Sequence, residues 1–177
     1  MSEATETARL FFALWPESAL QAKLAAWARQ AAGRGRAMRQ ENLHLTLAFL
    51  GDTDAALVPE LIALAAGVRF VPIRLPLDCV GYWKHNRIIW CGASEEPSAL
   101  ISLVEGLRAR LDAAGIRYDP KPFVSHVTLV REASGLPAAP AWVPLVWEAG
   151  DFALVGSTRA EGHVTYQLLQ RFAAAVD

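Results

Sequence analysis

The chain has little cysteine, no excess of charge of one sign and no long apolar run. It carries two cysteines, Cys79 and Cys91, with no CxxC pair and no ligand-like spacing to histidine. A disulfide framework or a structural zinc site is therefore not expected, and both thiols should stay reduced in a cytoplasmic protein. Its 17 Lys and Arg are balanced by 18 Asp and Glu, for a net charge of −1. The strongly basic surface of a protein that coats long duplex nucleic acid is missing, whereas a small anionic ligand held by a few local cations stays open. No stretch approaches the ~18 apolar residues of a membrane span. The run from Leu10 to Trp15 stops at Pro16. The opening MSEATET is polar and acidic, unlike the start of a secretory signal. What is abundant is apolar: 53% of the 177 residues are hydrophobic and 20% charged. That composition argues against disorder and for one domain, or two small lobes sharing a core.

The periodicities give α+β. Residues 9–15 read as a short buried strand. A helix opens after Pro16, with apolar residues on one face from Leu20 to Ala31 and a stop at Gly33. Residues 34–42, with Arg34, Arg36 and Arg39, read as a loop. In 43–50, Leu43, Leu45 and Leu47 alternate with His44, Thr46 and Ala48, a strand with one face in the core that ends at Gly51. A helix follows over 54–66. The strand over 71–77 is expected at an edge because Pro72 and Pro76 lie on one side of it. Residues 79–83 and 87–92 form a hairpin about Lys84-His85-Asn86. A helix spans about 97–114 and stops at Gly115. The next strand covers 124–130, a loop covers 132–141, and strands at 145–156 and 164–170 close the chain. Each half holds a helix, a loop and then a strand bearing His-x-Thr, the mark of a degenerate duplication.

Those two strands carry the chemistry. In His44-Leu45-Thr46 and His126-Val127-Thr128 the His and Thr share a face at period two, and Leu45 and Val127 point into the core. Placed across a cleft, the strands would offer two imidazoles and two hydroxyls. In-line displacement at a phosphodiester needs a base for water and an acid for the leaving oxygen, on opposite sides of phosphorus. One neutral and one protonated imidazole can coexist near neutral pH. The hydroxyls can donate to the non-bridging oxygens. No metal or other cofactor is called for. A lone His-x-Thr on a strand is usually unremarkable; two copies in the same apolar frame favour catalysis or anion binding.

With these motifs the chain resembles the 2H phosphoesterase superfamily, and within it the RNA 2′,3′-cyclic phosphodiesterases, also called 2′-5′ RNA ligases. The resemblance rests on Arg9 to Leu14, Glu41 to Gly51, Gly81 to Gly92 and Lys121 to Arg131, and on segments at Phe152 and Tyr166. It implies a bilobal fold, with two pseudo-symmetric lobes bearing antiparallel sheets around a central cleft. Residues 1–8 would be a flexible tail and 9–177 a single bilobal domain. It implies opening of a terminal 2′,3′-cyclic phosphate to a 2′-phosphate. His44 would protonate the leaving 3′ oxygen, His126 would activate water, and Thr46 and Thr128 would hold the phosphate. Arg131 would contact phosphate or base. Lys121 stands where an arginine is common. The partners implied are RNA 3′ ends or nucleotides bearing the cyclic phosphate, met by a monomer without a membrane. Reversible 2′-5′ ligation by the same groups, and a non-catalytic nucleotide-binding module, are the alternatives.

Phe11 shares a strand face with Arg9 and Ala13, which puts Phe12 in the core and Phe11 toward the cleft. There it could stack on a nucleobase; a core position for both rings is the alternative. Strict alternation from His126 and Thr128 turns Arg131 away from the cleft, and only a bulge or strand end would bring it back. His85 and His163 read as solvated loop residues. Arg36, Arg39, Lys84 and Arg87 form either a rim that attracts RNA or ordinary solvated charges. Trp83 and Trp90 read as packing residues.

Overall fold

The computed structural model describes residues 6–175. In chain order the elements are β1 (Thr7–Leu14), α1 (Ser18–Ala31), β2 (Arg36–Ala37), β3 (Leu45–Asp54), α2 (Val58–Ala66), β4 (Ile73–Leu77), β5 (Cys79–Trp83), β6 (Ile88–Gly92), α3 (Ser98–Ala113), β7 (Val127–Arg131), β8 (Leu145–Ala149), β9 (Asp151–Ala160) and β10 (His163–Ala173). The main sheet runs β10-β9-β1-β3-β7-β6-β5, with β2 added on β7. Every pairing is antiparallel. It is two groups of strands, β10-β9-β1-β3 and β7-β6-β5 with β2. They meet through one register pair, Leu45 with Val127. These are the residues that follow the two histidines, so the junction of the lobes brings both motifs together.

The helices lie where their apolar spacing requires. In α1, Leu20, Leu24, Ala28 and Ala31 are buried, and in α3 Leu100, Leu103, Val104, Leu107 and Leu111 are. Each large aliphatic side chain removed from water contributes about 1.5–3 kcal/mol, so a charge at Leu107 would break the packing of α3. Gly33 and Gly115 take left-handed φ values of 53° and 68° beyond the helix ends, where an L side chain would be strained. Helical residues join Leu10, Phe12, Leu14, Leu45 and Val127 in the main core. A second small cluster, Phe11, Ala13, Ala153 and Val155, is made of strand residues alone. The helices therefore cover one face of the sheet and leave the other for the cleft.

Several boundaries differ from the sequence reading. Thr7 and Ala8 of the expected tail pair with Asp54 and Thr53; residues 1–5 lie outside the described residues. The loop at 34–42 contains β2 and a 3-10 turn at Gln40–Asn42. β3 passes through Gly51, at φ 71°, to Asp54. The strand expected at 145–156 is two strands: β8 pairs with β4, and β9 pairs with β1. Gly150 separates them, and period-two alternation cannot show that a chain changes sheets. As an edge strand, β4 pairs with β8 alone. Both cysteines are free. Cys79 donates to the Gly92 carbonyl at 3.2 Å, Cys91 is fully buried, and burial raises both thiol pKa values. No helix among the described residues is long and apolar enough to cross a membrane.

Candidate active site

His44 and His126 stand one residue before β3 and β7 and are held the same way. His44 Nδ1 lies 2.7 Å from the Asn42 carbonyl, and His126 Nδ1 lies 2.9 Å from the Val124 carbonyl. A carbonyl oxygen only accepts, so each Nδ1 carries the proton and donates it. Each Nε2 is then the nitrogen left for a reacting group. Both imidazoles, Thr46, Thr128 and Arg131 line one cavity of about 150 Å³, with Met38, Asn42, Trp83, Asn86 and Ile88. The cleft thus gathers the histidines, the threonines and Arg131 of the sequence reading.

Arg131 reaches the cleft through a bulge. In the β6–β7 register Trp90 opposes Thr128 and Ile89 opposes Val130, so Leu129 has no partner. Leu129 and Val130 are both buried, the alternation reverses, and Arg131 falls on the cleft face. The first lobe repeats this. Ala13 opposes Thr46 and Phe12 opposes Ala48, so Leu47 is unpaired. Leu47 and Ala48 both enter the core, and Phe49 turns to the cleft side. Leu47 and Leu129 each lie three residues after a histidine, so the likeness of the two halves extends to their irregularities. Ala48, read on the face of His44, is a core residue for this reason.

The surroundings of the two histidines differ. His44 is enclosed by Trp15, stacked at 5.1 Å between ring centroids, by Phe11 at 4.9 Å and by Tyr166 edge-on at 5.1 Å. Burial lowers its pKa to about 4, against the carbonyl of Asn42 and with the help of the charges on Arg131 and His126. His126 meets Trp83 edge-on at 4.7 Å. Its pKa is also lowered, first by burial and then by Arg131, while the Val124 carbonyl and Glu96 oppose. Phe11 lines the larger of two adjoining cavities but is 3% exposed, with its ring against His44 and Tyr166. It forms a wall behind His44 rather than an open platform for a base.

Sequence reasoning missed four residues that shape the site. Asn42 orients His44 through its carbonyl, and its side-chain amide donates to the Val164 carbonyl of β10 at 3.1 Å. Trp15 and Tyr166 hold His44; periodicity shows an aromatic residue on a strand, not its partner across the sheet. Glu96 accepts the Ser125 N–H at 2.8 Å and so fixes the turn into His126. Trp83, read as packing, also lines the small cavity. Trp90 packs over Gly81, where a Cβ would come within 2.5 Å of the indole. Of the rim cations, Arg36 and Arg39 line the larger cavity. Arg87 instead braces the carbonyls of Glu132 and Ala133. Lys84 and His85 are exposed at the hairpin turn. Lys121 is exposed and pairs with Asp119 at 3.4 Å. Among the described residues no group of three His, Cys, Asp or Glu side chains could hold a metal ion.

The family model of LigT-like phosphoesterases matches residues 14–90. An RNA 2′,3′-cyclic phosphodiesterase of Escherichia coli is 33% identical over 172 residues, covering 96% of this chain and 98% of the relative. This chain belongs to the LigT-like phosphoesterase family. A second relative, the RNA 2′,3′-cyclic phosphodiesterase of Thermus thermophilus, is 32% identical over 93% of this chain and 89% of its own length. The fold agrees with the crystal structure of Escherichia coli LigT complexed with 3′-AMP, at a TM-score of 0.85 and 32% identity over 97% of this chain and 100% of that one.

Proposed function

We propose that this LigT-like protein hydrolyses terminal RNA 2′,3′-cyclic phosphates to 2′-phosphates, with His44 and His126 as the acid and base. The observation that carries the reading is the matched tethering of the two imidazoles. Each donates Nδ1–H to the carbonyl two residues earlier, and both line one small cavity with two threonines and an arginine. The relatives' names as RNA 2′,3′-cyclic phosphodiesterases supply the substrate class.

In this mechanism His126, the histidine with the less enclosed ring, takes a proton from water through Nε2. Oxygen attacks phosphorus in line with the 3′ oxygen, and His44 gives that oxygen its proton as the P–O bond breaks. Thr46 and Thr128 donate to the non-bridging oxygens, and Arg131 balances the charge that builds on them. Free His44 is neutral at pH 7, because its pKa is about 4. The anionic cyclic phosphate supplies the missing counter-charge, so His44 gains its proton as substrate binds.

The test is incubation with a 2′,3′-cyclic mononucleotide and with an oligonucleotide ending in a cyclic phosphate, the product being identified by phosphorus NMR. A 2′-phosphate is expected. His44→Ala and His126→Ala should each lose about 10²–10⁴-fold of rate, the usual worth of one positioned acid or base. A 3′-phosphate product would contradict the assignment of His44, and no turnover of either substrate would overturn the function.

A further inference from the structure

Beyond the small cavity the cleft widens into about 830 Å³, running from His44 and Thr46 along β9 and β10. That is near the upper end of ordinary ligand pockets, about 300–1,000 Å³, and far more than a phosphoryl group fills. Five arginines line it (Arg9, Arg36, Arg39, Arg131 and Arg159) with His163, and no carboxylate does. Arg9 is committed to Asp52 at 3.8 Å, and Arg36 to Glu132 at 3.5 Å. Arg39 reaches only the ring of His163, its guanidinium 3.3 Å from Nδ1. Neither Arg39 nor Arg159 has a carboxylate partner among the described residues.

The far end of this cavity lies at the turn between β9 and β10. Ala160 pairs with His163 around Glu161 and Gly162, whose φ values of 50° and 77° suit the tight two-residue turn that matches strand twist. Arg159 and His163 thereby lie at the exposed tip of the β9–β10 ribbon. The ribbon is tied to the site by Asn42, whose amide holds Val164 and whose carbonyl holds His44. Tyr166, against His44, is three residues from His163, about 10 Å along the strand. Arg39, which meets His163, and Arg159 therefore stand away from the reacting phosphate, in the direction the rest of a substrate must take.

We propose that Arg39 and Arg159, with His163, form a second anion subsite, which holds the phosphodiester on the 5′ side of the terminal nucleotide. The protein would then act on chain ends in preference to free cyclic nucleotides. The inference rests on the RNA reading above. A 5′-phosphate on a free nucleotide offers the same chemistry, so the two sources need separate arms.

The experiment compares kcat/KM for a 2′,3′-cyclic mononucleotide, its 5′-phosphorylated form and a trinucleotide ending in the cyclic phosphate. A trinucleotide with a neutral methylphosphonate at the upstream linkage is the fourth substrate. Wild-type protein should favour the charged trinucleotide over the bare mononucleotide by about tenfold or more, the effect of one charge-assisted contact. The methylphosphonate should lose that advantage. An equal gain from the 5′-phosphate alone would support the subsite and name a free nucleotide as a sufficient occupant. Arg39→Ala and Arg159→Ala should each lower the trinucleotide-to-mononucleotide ratio, and each should reduce the salt dependence on log–log axes by about 0.7. Equal kcat/KM for charged and neutral linkages would overturn the subsite while leaving the phosphodiesterase reading intact. So would variants that lower all four substrates in parallel. Absence of turnover on every substrate would refute the function instead. The methylphosphonate comparison needs no variant, so a misfolded Arg159→Ala would not remove the test.

Discussion

Acidification should weaken this protein through His44 in particular. Lowering an imidazole from the ordinary 6.5 to about 4 corresponds to ~3–4 kcal/mol against the protonated form in the folded state. That is an upper bound, because one edge of the ring meets the cleft and water. The unfolded chain binds the proton near 6.5 and the folded chain only near 4. Stability from neutral His44 is thus fully present above the unfolded value and falls as pH drops through this window. About 2 kcal/mol should be gone by pH 5. The lowered pKa of His126 acts in the same direction. The assay is urea unfolding at pH 7 and pH 5 for wild type and for His44→Gln, which has no titrating group in that pocket. Wild type should lose about 2 kcal/mol more than the variant between the two pH values. Proton NMR of the histidine Cε1–H signals gives the site directly, and phosphate bound in the cleft should move His44 upward. Equal acid sensitivity in both proteins, or a His44 signal titrating near 6.5 in the free protein, would refute the account of the aromatic enclosure.

Arg131→Ala should lower kcat/KM on an oligonucleotide by about 10–100-fold, from loss of a charge-assisted contact of about 1.5–3 kcal/mol. It should also raise the His44 pKa, because the Arg131 charge helps to lower it; unchanged kinetics would mean that the bulge at Leu129 does not deliver Arg131 to substrate. Glu96→Gln keeps an acceptor for the Ser125 N–H but removes the charge that favours protonated His126. The His126 signal should then titrate at lower pH in a fully folded protein, whereas Glu96→Ala should cost about 1–3 kcal/mol of stability for the unpaired N–H. EDTA should leave the hydrolysis rate unchanged, since two imidazoles can carry both proton transfers; a rate recovered only with added divalent ion would contradict that mechanism.

The paired motifs were legible because their information is local. His-x-Thr at period two puts an imidazole and a hydroxyl on one face of a strand whatever surrounds it. The leucine spacing of α1 and α3 specifies buried stripes in the same way. The family resemblance then supplied what local pattern lacks, the expectation that both strands border one cleft. The α+β architecture and the collection of His44, His126, Thr46 and Thr128 followed.

What the sequence could not specify depends on pairing between distant strands. Strict alternation sends Arg131 away from the cleft and puts Ala48 in it. The register with β6 and with β1 leaves Leu129 and Leu47 unpaired, and each extra residue reverses every side chain after it. Nothing local marks either leucine as a bulge, because a bulge is a mismatch of length between two strands. The enclosure of His44 is similar: Trp15 directly follows β1 and Tyr166 comes from β10, separated by most of the chain. Sequence alone determined that two histidines and two threonines would be presented as matching pairs. Tertiary structure decided which charges and rings join them, and so made one imidazole much harder to protonate than an ordinary histidine, because desolvation depends on neighbours that only the folded sheet assembles.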